Sequence, residues 1–168
     1  MRLGTKSVLY GAHQFLIHPL FVAWAWTQLY GWPYDPRLWL CFFVHDLGYI
    51  GKPNMDGPQG ELHPELGGKI MSLFGSHWRD MSLGHSRFYA ALKQISRSPL
   101  FYADKLAVTL EPAWLYLWRV RVTGEIYEYM AGAKDRYADM QINTTDIKAW
   151  HESCMQAMRK LARGERGA

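Results

Sequence analysis

Asp35-Pro36-Arg37-Leu38-Trp39-Leu40-Cys41-Phe42-Phe43-Val44-His45-Asp46 decides both the fold class and the chemistry of this chain. Aspartate followed by proline is a helix start. The carboxylate can accept from the unpaired amides of a first turn, and proline lacks an N–H just where a helix has no partner for one. The residues behind it are almost continuously apolar, so this helix reads as central and buried on most sides. It ends on an imidazole and a carboxylate side by side. Such a pair on an apolar helix is expensive unless something compensates it. Histidine with aspartate can hold a divalent metal, and the aspartate keeps a second oxygen with which to bridge to another. His63, His85 and Asp104 follow at loose intervals and could complete a site of that kind.

Working outward, every segment reads as helix. Residues 5–31 form one helix kinked at His18-Pro19, or two short ones. Gly51 to Pro58 is a loop, and a helix follows from about Pro64 to Phe74, with Gly75 as its stop. Ser76 can cap the next helix, which should carry His85. Ser98-Pro99 opens another, which carries Asp104 and breaks at Pro112. A helical stretch then reaches about Lys134, and the last helix, roughly 146–163, places Ile147, Trp150, Cys154, Met158 and Leu161 on one face. No alternating strand pattern, repeat or linker is present. The expectation is an all-α, compact single-domain helical bundle spanning 1–168.

Composition narrows the function classes. At 168 residues the chain can bury a core without staples, and 20% charged with 49% hydrophobic residues is ordinary for a globular domain. A net charge of +4 favours anionic ligands only weakly. Much of it comes from Arg159, Lys160, Arg163 and Arg166, read as a solvated last turn and tail. The dense basic stripe of a nucleic-acid protein is absent, so no stable nucleic-acid binding is expected. Cys41 and Cys154 lie far apart with no CxxC, which points away from disulfides and thiolate zinc, and toward a reducing cytoplasm. No signal peptide is read at the N-terminus. Ser7 to Tyr34 contains no Asp, Glu, Lys or Arg, long enough to span a bilayer. His13, Gln14, His18 and Pro19 interrupt it, however, and suit a buried helix pair beside a polar site better than a membrane span.

The order His18, His45-Asp46, His63, His85, Asp104 on successive helices narrows the reading further. It stands in the stretches His18-Pro19-Leu20-Phe21-Val22-Ala23, His45-Asp46-Leu47-Gly48-Tyr49, His63-Pro64-Glu65-Leu66-Gly67, Gly84-His85-Ser86 and Ala103-Asp104-Lys105-Leu106. Over about residues 13–110 this pattern resembles the HD superfamily of metal-dependent phosphohydrolases. It is similar to the branch with six ligands and two metals, and His63 to Gly67 is similar to a motif of the HD-GYP cyclic-dinucleotide phosphodiesterases. Tyr49 stands where those enzymes carry lysine, His85-Ser86 is not followed by Gly-Tyr-Pro, and the glutamate of the nucleotidase branch is missing. The resemblance therefore stops at the superfamily.

It implies an HD-type bundle; residues 112–168, outside the resemblance, read as a helical scaffold that can also form a subunit interface in a homo-oligomer. A first metal would lie on His18, His45, Asp46 and Asp104. Asp46 would bridge to a second on His63 and His85, the ions being two divalent transition metals from among Mn, Fe, Co, Ni and Zn. The implied reaction is cleavage of a phosphoester in a small phosphorylated molecule, a nucleotide foremost, by a metal-bridged hydroxide. Two rival readings use the same frame: a mixed-valent di-iron oxygenase similar to inositol oxygenase, and a degenerate module that binds a nucleotide or a protein.

Substrate handling falls to residues near these ligands. Lys52, Arg87 and Lys105 could clamp a phosphate and act with Asp46 in catalysis. Asn54 and Asp56 could line the mouth, or serve simply as turn residues. Glu65 could donate a proton or support a metal-bound histidine. His13 rivals His18 as a ligand, whereas His77 and His151 are read as non-ligands. Trp24, Trp26, Trp39, Trp114 and Trp118 sit at spacings that mean core packing rather than base stacking.

Overall fold

The protein is described by a computed structural model for residues 1–136 and 140–164, so Arg166 lies outside the described residues. Among them are ten α-helices and no strand: α1 (Leu3–Tyr10), α2 (Ile17–Tyr30), α3 (Pro36–Val44), α4 (Pro64–Met71), α5 (Ser76–Leu83), α6 (Arg87–Lys93), α7 (Pro99–Leu110), α8 (Ala113–Thr123), α9 (Glu125–Arg136) and α10 (Ile147–Ala162). The all-α bundle is the one the periodicity requires. Asp35 accepts from the Arg37 amide at 2.9 Å and Pro36 takes the first helical position, so α3 starts where the sequence says.

Several local details differ from the sequence reading. Pro19 does not kink a long helix. It lies in the first turn of α2, where its missing N–H would have had no partner, and residues 11–16 separate α1 from α2. Ser76 is the first residue of α5 rather than its cap, because Gly75 at φ 107° makes the turn before it. His85 is not on α5, which ends at Leu83, but in the tight connection to α6. Its neighbour Ser86 caps α6 by accepting from the Tyr89 amide at 3.2 Å. Asp146 caps α10 by accepting from the Ala149 amide at 2.9 Å, as the start near 146 requires.

α7 is the organising element, packed against α2 on one side and α10 on the other. Val22, Trp26, Cys41, Phe42, Met71, Leu100 and Ala103 form one apolar core, and Val120, Ile126, Trp150 and Met155 belong to a second among α8, α9 and α10. Phe101 meets Met158 and Leu161 and joins α7 to α10. At the corner between α7 and α8, the buried Arg119 Nη2 donates to both oxygens of Glu111 at 2.5–2.6 Å.

The tryptophan assignment needs correction. Trp26 is buried, but Trp24, Trp114 and Trp118 are 51–72% exposed; Trp150 and Trp78 take core places instead. Among the described residues no helix is long and apolar enough to cross a membrane. The uncharged stretch from Ser7 is folded into two short helices with buried faces.

Candidate metal centre

Five backbone segments deliver the polar cluster. His18 comes from the first turn of α2, His45 and Asp46 from the end of α3, His63 from the start of α4, His85 from the α5–α6 connection and Asp104 from the middle of α7. Two glycines let these segments meet. A Cβ on Gly48 would stand 1.9 Å from the His63 carbonyl oxygen, and one on Gly67 would stand 2.9 Å from that of Val44. Without side chains there, the His45-Asp46 turn and α4 lie almost backbone to backbone.

The six side chains are all buried and fall into two donor groups that share Asp46. Asp46 Oδ2 lies 3.0 Å from His45 Nε2 and 3.5 Å from His18 Nε2, and His18 Nε2 lies 3.0 Å from Asp104 Oδ1. Asp46 Oδ1 faces the other way, 3.3 Å from His85 Nε2 and 3.5 Å from His63 Nε2. One carboxylate thus addresses two separate clusters, each of its oxygens serving one. Donors about 2.1 Å from a common metal stand about 3.0–3.4 Å apart. The observed separations of 3.0–3.9 Å are close to that spacing.

Hydrogen bonding orients the imidazoles. Nδ1 of His45, His63 and His85 each meets the carbonyl three residues back, Phe42, Gly60 and Ser82, at 2.8, 2.9 and 2.5 Å. Since a carbonyl only accepts, Nδ1 carries the proton and Nε2 presents a lone pair in the neutral ring. This is the outer-shell arrangement that prepares histidine for a metal. The lone pairs of His63 and His85 then confront each other at 3.0 Å, and His45 Nε2 and Asp46 Oδ2 have no hydrogen-bond partner among the described residues. Buried groups so arranged are costly without a cation between them. The two donor groups could each hold a metal ion.

The carboxylates and His63 agree with this, while the charge of Asp46 beside it raises the His45 value against burial. Burial would raise the Asp46 pKa, but the neighbouring His45 and His13 outweigh it and hold it well below the usual carboxylate range. Burial opposes ionisation of Asp104 too, and Lys105 and His18 overcome it. Burial, reinforced by His85, holds His63 well below the ordinary imidazole value, so its lone pair is available.

A cavity of about 520 Å³ opens from the cluster. Arg87, Lys105 and Asp56 line it, as does His13, and Lys105 Nζ lies 2.7 Å from Asp104 Oδ2. His18 rather than His13 belongs to the donor groups. His13 sits beside it, its Nδ1 2.9 Å from Ser7 Oγ, while Ser7 donates to the buried Glu125 at 3.0 Å. Lys52 and Asn54 are not among the cavity residues. Lys52 lies against Gly4 of α1, and Asn54 spends its side chain on Gln59 and the Gly60 amide, the turn role. Glu65 is exposed and accepts from the Tyr89 hydroxyl at 3.4 Å. His77 is exposed, and neither it nor His151 belongs to a donor group.

Sequence reasoning missed two features. Tyr49 stacks on His63, and α8, α9 and α10 also line the cavity, through Tyr116, Tyr129, Trp150 and Met155 among others. The one-sided periodicity of α10 signalled a buried face but not what that face meets.

Comparisons with protein-family models, curated proteins and solved structures return no match for this chain.

Proposed function

We propose that this chain is an HD-type metal-dependent phosphohydrolase that cleaves a phosphoester in a small phosphorylated molecule, a nucleotide foremost. The observation that carries the reading is the divided carboxylate of Asp46, with Oδ2 toward His18 and His45 and Oδ1 toward His63 and His85. Divalent metals held there would supply Lewis acidity and a water-derived nucleophile at neutral pH. The chain's own residues do the rest. Asp46 and Asp104 balance the cationic charge, and the three backbone carbonyls fix the imidazole tautomers. Lys105 and Arg87 line the cavity, and in this reading they take phosphoryl oxygens and steady the developing charge. Lys52, which is not among the cavity residues, is assigned no step here.

The test is phosphate release from p-nitrophenyl phosphate and nucleoside monophosphates by Mn- or Zn-loaded protein, alongside Arg87→Met. The expected loss in the variant is about 10²–10³-fold in kcat. Because nitrogen and oxygen donors suit iron equally, a di-iron oxygenase is the second reading. Oxygen consumption on a diol by iron-loaded protein, with no phosphate released from any ester, would select it.

A further inference from the structure

The outer face of α8 is apolar where a solvated helix is polar. Trp114, Trp118 and Val122 recur at every fourth residue, so they share one side of the helix, and they are 60–72% exposed. Tyr116 and Val120 face the other way, into the second core. Neighbouring elements extend the surface. α1 packs against α8, and the 11–16 connection abuts the end of α8, where the Ala12 amide donates to Glu125 at 3.2 Å. Tyr10, Phe15 and Leu16 are exposed there. Apolar surface gathered in this way marks a docking site, whereas single exposed side chains do not.

Charge says what docks. No Asp or Glu occurs from Met1 to Tyr34, and none between Glu111 and Glu125. Both of those glutamates are buried, Glu111 on Arg119 and Glu125 beneath Ser7 and Tyr129. The charges that these segments turn to solvent are basic: Arg2 and Arg121 are exposed and Lys6 is partly so. Arg121 follows Trp118 by three residues, beside the apolar stripe. A second copy of the chain on this face would bring cation to cation with no acid to receive it. The boundary of an anionic bilayer complements it instead, since indole rings settle at headgroup level and the cation meets lipid phosphate.

We infer that this protein docks on anionic lipid surfaces through the outer face of α8, with Trp114 and Trp118 in the headgroup boundary and Arg121 on lipid phosphate. α8 lies along the surface and crosses nothing. The inference stands apart from the phosphoester reading and holds whatever reaction the metal centre performs.

Flotation of the full chain with phosphatidylcholine vesicles, with and without phosphatidylglycerol, tests it. Binding to the phosphatidylglycerol vesicles is expected, weakening as salt is added. Replacing both tryptophans, Trp114→Ser with Trp118→Ser, should weaken it about tenfold through lost apolar burial. Arg121→Gln should weaken it about fivefold on the anionic vesicles alone. Leu73→Ser, at a residue 82% exposed between α4 and α5, should leave it unchanged. All these positions are exposed, so the variants should keep the fold, which circular dichroism checks. Absence of flotation with either vesicle, binding that survives loss of both tryptophans, or an equal loss in Leu73→Ser would overturn the inference. So would a lipid-free dimer in analytical ultracentrifugation that the tryptophan variant makes monomeric, because the face would then belong to a second copy.

Discussion

The Tyr49 ring lies flat on the His63 ring, centroids 3.9 Å apart and planes 13° from parallel. His63 is therefore held twice, by this stack and by the Gly60 carbonyl at Nδ1. Tyr49→Ala should loosen the His63–His85 half of the centre and weaken its metal about 10–100-fold, the usual effect of losing an outer-shell support. Tyr49→Phe keeps the stack and should keep the affinity. Competition with a chromophoric chelator measures both.

The two donor groups should be separable. His63→Ala removes a ligand from one group only and should leave the other metal in place; His18→Ala should do the reverse. Elemental analysis of the two variants after identical loading reads the difference. Loss of all metal in both would mean that the halves bind as one unit.

The backbone contact at Gly48 links fold and site. Gly48→Ala puts a Cβ against the His63 carbonyl, which cannot yield without moving α4. A loss of about 2–3 kcal/mol in urea unfolding is expected, as for overpacking generally. Weaker metal binding at His63 should accompany it.

Cys41 gives a pH signature. Burial alone pushes its thiol up to about 12 from an ordinary 9.0. Below pH 9.0 the thiol is neutral in both folded and unfolded chains, so its contribution is fully present. As pH rises toward 12 the unfolded chain ionises first, and stability falls by about 1.4 kcal/mol per pH unit from this group. Cys41→Ala should flatten that alkaline slope. In the native protein at pH 8, iodoacetamide should leave Cys41 unmodified.

How much was legible follows from what each signal encodes. Asp35-Pro36 and the apolar run behind it fix α3 locally, and charged residues in apolar stretches mark His45, Asp46 and Asp104 because burial makes them costly. His18 could not be told from His13 in sequence. The choice depends on the α1–α2 connection, which a distant Glu125 holds through Ser7 and the Ala12 amide. The exposure of Trp114 and Trp118 was missed because spacing along α8 does not say which of its faces has a partner. The lining from α8–α10 was missed for the converse reason: Trp150 and Met158 lie on a face read as packing, and core and cavity lining have the same composition.

The measurement that bears most directly on the centre is metal content per chain in the wild type beside Asp46→Ala, after loading with Mn, Fe or Zn. Because Asp46 belongs to both donor groups, close to two metals per chain are expected in the wild type and neither at full occupancy in the variant. Wild-type protein that holds no metal after loading, or an Asp46→Ala variant that holds as much as the wild type, would contradict a centre bridged by Asp46.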